Sequence, residues 1–235
     1  MTTYLNYLKV SLFMIQYKNL IIIGTSHISP DSIRDVKEII LKESPDIVAL
    51  ELDHLRVKSL MSNKKSKLNL QDIFRIGIKG FLLNLAGAWI EKKLGKLVHT
   101  KPGDEMKEAI NLAKEKNIKI ALIDQDIRIT LKRLSKRVTW REKFRFIKEI
   151  LFAFFKKRKI PFDITKVPSQ KVIESLTRKL KKSYPSVYLT LIEERNYVLA
   201  KNLYNLINSY NKVIAVIGAG HEKEVINLIK KEESK

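Results

Sequence analysis

Two short apolar runs, residues 20–23 and 213–217, each end in a glycine turn that carries a histidine: Gly24-Thr25-Ser26-His27 and Gly218-Ala219-Gly220-His221. Apolar runs this short, without polar alternation, suit strands buried on both faces. A helical stretch follows each one. In an open α/β sheet the ends of the parallel strands are where ligands bind. Two imidazoles at such ends, far apart in sequence, are placed to converge on one metal or one substrate. The plain alternative is a tight glycine turn with a histidine at a helix start. Two of the chain's four histidines share this placement, and histidine is a common metal ligand and proton-transfer group.

The stretch between the two turns alternates helices with strands. Ser29-Pro30-Asp31 opens a helix with a capping serine, proline in the first turn and an early acid. Its apolar positions Ile33, Val36, Ile39 and Ile40 follow helical spacing, and Pro45 stops it. Further strands are expected at 47–50, followed by Glu51, and at 118–123, followed by Asp124-Gln125-Asp126. This order implies right-handed crossovers and a layered α/β fold, a parallel-type sheet with flanking helices. The residues before the first strand read as an extension or an extra edge strand. At 235 residues and 45% apolar content, one domain over 1–235 is expected. It carries helical insertions at about 53–100 and basic helices at about 136–182. The apolar part of the first insertion, 73–90, is expected to be buried, with a partner surface as the other reading.

The formal charge of +21 is concentrated. Residues 136–182 hold sixteen Lys or Arg against four acids. Thr139-Trp140-Arg141-Glu142 is a capping box that opens a helix carrying Phe144, Ile147, Leu151, Phe154 and Phe155. That stripe is expected to pack on the core, leaving the charges as a solvated face. The competing reading is a helix that lies on an anionic membrane surface or grips an acidic partner. No nucleic-acid motif or stacking platform accompanies the charge, so nucleic acid ranks behind both. A Lys- and Ile-rich composition is also common in heat-adapted proteins. The chain has no long uncharged apolar run and no signal-peptide pattern at its start. A cytoplasmic protein, peripheral to the membrane, is the expectation, with a homo-oligomer as a further candidate state.

There is no cysteine, so any metal must be held by His, Asp and Glu. That favours zinc, manganese, cobalt or iron over sulfur-bound clusters. The expected strand ends present His27, Glu51, Asp124 and His221 as candidate ligands. Two histidines with one or two carboxylates suit a divalent ion that lowers the pKa of a bound water. Glu105 suits the role of proton acceptor. Arg128 and Arg195 suit a substrate carboxylate or a developing oxyanion. Each has a structural alternative: Glu51 paired to a buried Arg, Asp124 capping a turn, Glu105 set against a helix dipole, Arg128 paired with Glu194.

Six ordered motifs carry a resemblance. They are Gly24-Thr25-Ser26-His27-Ile28-Ser29; Pro45-Asp46 with Val48-Ala49-Leu50-Glu51-Leu52; and Gly103-Asp104-Glu105-Met106 with Ala109-Ile110. The others are Leu122-Ile123-Asp124-Gln125-Asp126-Ile127 with Ile129-Thr130-Leu131-Lys132-Arg133; Leu191-Ile192-Glu193-Glu194-Arg195-Asn196; and Val216-Ile217-Gly218-Ala219-Gly220-His221. In these the chain resembles the TraB/PrgY family, related to the GumN and Tiki proteins. The resemblance implies a fold like the erythromycin esterase and ChaN group. It also implies a metal-dependent, peptidase-like hydrolase supported by manganese or cobalt, and it links bacterial relatives to the shutdown of peptide pheromone signals. His27, Glu51 and His221 then become the preferred metal ligands, with Glu105, Asp124, Arg128 and Arg195 behind them. The chain departs from the family at Gln125, where an arginine is usual. The expected partner is a peptide or small-molecule substrate; the alternative function is a module that captures such a ligand in the same cleft without cleaving it.

Overall fold

The structure, a computed structural model, describes residues 14–26, 29–62, 103–155 and 168–234. Five strands, β1 (Met14–Tyr17), β2 (Leu20–Thr25), β3 (Ile47–Leu50), β4 (Lys119–Leu122) and β5 (Val213–Gly218), form one sheet in the order β1-β2-β5-β3-β4. The pairs β2–β5, β5–β3 and β3–β4 are parallel. β1 folds back antiparallel on β2 through a tight turn in which Lys18 takes a left-handed φ of 52°. The residues just before β2 therefore supply an edge strand. The most C-terminal strand, β5, sits at the centre of the sheet, where apolar side chains on both faces are covered. Every residue of β2, β3 and β5 is buried.

Strand alternation divides these side chains between two layers. Leu20, Ile22, Ala49, Ala215 and Ile217 point to one face. There they meet Leu199, Leu203 and Ile207 of α8 (Glu194–Ile207) and Val225 and Ile229 of α9 (Glu222–Glu233). Ile21, Ile23, Val48, Leu50 and Val216 point the other way. They meet Val36 and Ile40 of α1 (Pro30–Glu43) and Met106, Ala109 and Ala113 of α3 (Asp104–Glu115). The result is a mixed α/β architecture, a mostly parallel five-stranded sheet between two helical layers. Gly24 pairs with Ile217, and Leu50 with Val216, so β2, β3 and β5 end nearly level.

Local signals in the sequence set several boundaries. Ser29 Oγ accepts from the Asp31 N–H at 3.2 Å and caps α1. Asp53 caps α2 (His54–Met61), and its Oδ1 accepts from the Leu55 and Arg56 N–H groups at 2.8 and 3.1 Å. The apolar stretch 73–90 lies outside the described residues. After β4, Asp126 caps α4 (Ile127–Arg137), and the Thr139/Glu142 capping box opens α5 (Trp140–Phe155). A basic helix, α6 (Gln170–Ser183), leads to α7 (Pro185–Tyr188), a π-helical turn over Leu189–Glu193, and α8. Among the described residues no helix is long and apolar enough to cross a membrane.

One expectation is corrected here. Phe144 and Ile147 of α5 face solvent instead of the core. The helix is held by its other side. Glu142 Oε1 accepts from the Ser186 N–H at 2.8 Å, Arg145 donates to the Ser183 carbonyl, and the Phe146 ring meets Tyr184 edge-on at 6.5 Å. Burial pushes the Glu142 carboxyl up, but the hydrogen bonds from Thr139 and Ser186 outweigh it and hold its pKa below the ordinary value.

The two kinds of apolar residue should respond differently to truncation. Leu203→Ala empties a fully buried position and is expected to cost about 2–5 kcal/mol. Phe144→Ala removes an exposed ring and is expected to change stability by about 0.5 kcal/mol or less. Urea unfolding of the two variants beside the wild type checks both.

Candidate functional site

The strand ends on the α8–α9 side carry a buried cluster of charged groups. Glu51 follows β3 and is 2% exposed. Its Oε2 accepts from the Gly218 N–H at 2.6 Å, so the glycine turn after β5 holds the carboxylate that leaves β3. Its Oε1 accepts from Arg195 Nη2. The same guanidinium grips Asp124 after β4, with Nη2 to Oδ2 at 2.7 Å and Nε to Oδ1 at 3.1 Å. Arg56 Nη1 adds a second cation on Asp124 Oδ2 at 2.5 Å, and the Gln125 N–H donates to Oδ1 at 2.8 Å. The Gln125 side chain turns away and donates to Thr130 Oγ1.

A guanidinium this enclosed needs compensation. Burial of Arg195 works against its charge, but Glu51 and Asp124 outweigh it and hold its pKa above the ordinary value. Arg195 and Asn196 come directly after the π-helical turn, a local widening often found where a helix serves a site.

His221 ends the second glycine turn and is buried beside them. Its Nδ1 lies 2.5 Å from Asn196 Oδ1. An amide oxygen only accepts, so Nδ1 carries the hydrogen in this pairing. Nε2 stands 3.7 Å from Glu51 Oε1.

Glu222, the next residue, is a member of this region that the sequence reading passed over. It is fully buried; Oε2 accepts from Gln170 Nε2 at 3.2 Å, and Oε1 has no hydrogen-bond partner among the described residues. Burial pushes its pKa from 4.5 up to about 8, with the Gln170 hydrogen bond pulling the other way. A Cβ at Gly24 would overlap this carboxyl. Any side chain at Gly24 would thus displace the Glu222 carboxyl from its place against β2.

Glu105 and Arg128 stand on other elements. His27 lies outside the described residues. Glu105 is buried in the first turn of α3, on the layer opposite α8 and α9. Arg128 is exposed and closes on Asp126, its Nε 3.0 Å from each carboxylate oxygen. That side-chain pairing and the Arg128 N–H lower the Asp126 pKa to about 2. Glu194 pairs with Arg133 and Arg137.

Which of these groups suit a metal follows from their partners. An imidazole whose Nδ1–H is held by an outer oxygen, with Nε2 turned toward a carboxylate, has the form of a metal-binding histidine. His221 and Glu51 meet that description. Asp124 receives four N–H donors from Arg56, Arg195 and Gln125 and is suited to holding arginines. Among the described residues no group of three or more His, Asp or Glu stands ready to hold an ion. Sequence reasoning missed Arg56, Glu222 and the role of Asn196. Nothing in the spacing marked the first two, whereas Asn196 sits in a quoted motif and was findable as the partner of a histidine.

The family model described as TraB/PrgY/gumN matches residues 12–235. An uncharacterised protein of Methanocaldococcus jannaschii is 37% identical over 214 residues, covering 91% of this chain and 54% of that protein. TraB domain-containing proteins of Homo sapiens and Mus musculus are each 28% identical over 193 residues, covering 76% of this chain and 50% of theirs. The chain spans about half the length of the curated relatives it matches.

Two outcomes are expected from this geometry. Arg195→Met removes the guanidinium from buried Glu51 and leaves Asp124 to Arg56 and the Gln125 N–H, and should destabilise the protein by about 3–5 kcal/mol in urea unfolding. Glu222 titrates with a raised folded-state pKa, so its contribution to stability is full below the unfolded value of 4.5 and is lost as pH rises to about 8. Glu222→Gln keeps the neutral form. In chelator-treated protein it should match the wild type near pH 4.5 and exceed it by roughly 2 kcal/mol or more at about pH 9.

Proposed function

The chain belongs to the TraB/PrgY/gumN family, and from that premise we propose a metal-dependent hydrolase of the Tiki kind that cuts peptide or amide bonds at the strand-end cluster. The same premise carries the finer fold assignment, an erythromycin esterase/ChaN-like arrangement. The observation that supports the activity is the pose of His221: Nδ1 on Asn196 Oδ1, Nε2 facing Glu51 at 3.7 Å. His221, Glu51 and His27 would hold the ion, which is manganese, cobalt, zinc or iron. When bound, such an ion supplies a Lewis acid for the scissile carbonyl.

The chain's own groups do the rest. Asn196 fixes the imidazole so that one nitrogen alone faces the site. Gly218 and Arg195 hold the two oxygens of Glu51 in place. Arg195 stays charged under the pull of Glu51 and Asp124, which makes it the natural contact for a peptide carboxylate or carbonyl oxygen. The second reading, capture without cleavage, uses the same cluster, since a peptide docked at these strand ends need not react.

Elemental analysis of untagged protein, beside His27→Ala and His221→Ala variants of unchanged circular dichroism, tests the proposal. Near-stoichiometric metal, reduced about tenfold or more in each variant, is expected. Peptide cleavage should then depend on that metal. Absence of metal after reconstitution, together with peptide binding that survives chelation, would replace hydrolysis with capture.

A further inference from the structure

The outward face of α5 has no role in the site just described. Trp140, Phe144 and Ile147 are 69%, 68% and 45% exposed, and Phe152 is 57% exposed. At about 100° per residue, Trp140, Phe144 and Ile147 fall on one stripe of the helix. Arg141 and Lys148 flank the stripe on one side and Lys143 on the other. Both acids of the helix, Glu142 and Glu149, lie on the opposite side.

Contacts fix which side is which. Glu142, Arg145 and Phe146 engage residues 183–186, so the side bearing the acids faces the body of the protein. The aromatic stripe must then face out. The flanking lysines lie along the rings: Lys143 Nζ is 4.7 Å from the Trp140 ring centre and Lys148 Nζ 5.8 Å from that of Phe152. Trp140 and Phe144 stand together with ring centres 6.3 Å apart.

We propose that α5 is an interfacial helix that docks the protein on an anionic lipid surface, rings in the headgroup–acyl boundary and cations on the headgroups. Three features select that occupant. A stripe one helix wide, rimmed by Lys and Arg and with acids turned away, has the apolar-plus-cationic form of helices that lie in a membrane interface. A second copy of this chain would bring another strongly basic surface against it, since the net charge is +21. Nucleic acid would satisfy the cations and leave Trp140, Phe144 and Ile147 without an apolar environment.

Sedimentation of the full chain with vesicles tests this. Binding to phosphatidylcholine–phosphatidylglycerol vesicles, and at least tenfold less to phosphatidylcholine alone, is expected. A Trp140→Ser/Phe144→Ser/Ile147→Ser variant with unchanged circular dichroism should bind the anionic vesicles about tenfold or more weakly. In a Trp89→Phe background, Trp140 emission should shift to the blue on binding and be quenched by brominated lipid. That readout leaves the stripe intact and does not depend on the triple variant folding. Failure to bind vesicles, or binding that neither moves Trp140 emission nor weakens in the triple variant, would overturn the proposal. In the second case charge alone would be responsible, and an acidic protein or nucleic acid would be the partner to pursue.

Discussion

Arg195 is the group on which the strand-end region depends. It is a buried cation that touches the residues leaving two different strands, Glu51 after β3 and Asp124 after β4. Neither carboxylate would be tolerated there alone, and neither would the guanidinium. Their mutual compensation pins the start of α8 across the ends of the sheet. Asn196 follows from the same placement, because the residue next to Arg195 is carried to His221. The turn Gly218-Ala219-Gly220-His221 is fixed from both sides, by the Gly218 N–H on Glu51 and by Asn196 on the imidazole.

The acid beside this cluster obeys different rules. Among the described residues Glu222 has no cation beside it, and its raised pKa is the expected response to burial. The two acids differ in their neighbours among the described residues. Glu51 has a guanidinium and a backbone N–H; Glu222 has a single amide. Gly24 complements that arrangement, since the Glu222 carboxyl occupies the space where a Cβ at residue 24 would stand.

Much of the frame was legible in the sequence because it rests on local rules. Apolar runs of four to six residues gave β2, β3 and β5, and Ser29 and the Thr139/Glu142 pair cap helices as expected, whereas α4 is capped by Asp126 and not by Asp124. The pairing of Glu51 with a buried arginine was a stated alternative, and the structure supplies it through Arg195. The partners of Asp124 were harder to see. Arg56 reaches it from 68 residues away in the chain, and no periodicity encodes such a contact. The Arg128–Glu194 pairing failed for a local reason: Asp126, two residues before Arg128, both caps α4 and closes on the guanidinium, while Glu194 finds Arg133 and Arg137 on the same helix.

The orientation of α5 shows what periodicity leaves open. A stripe of large apolar residues at helical spacing says that the helix has two faces; it does not say which one meets the protein. That choice is made by Glu142. One of its oxygens serves the N-terminus of its own helix through Thr139, and the other accepts the Ser186 N–H at the start of the helical run that continues through the π-turn to Arg195. A carboxylate so engaged cannot turn to solvent without stranding N–H groups at two helix starts. With Glu142 held inward, the aromatic stripe is forced outward despite the cost of exposing it. The residue that settles the orientation is thus a polar one, and the apolar stripe is displayed as its consequence.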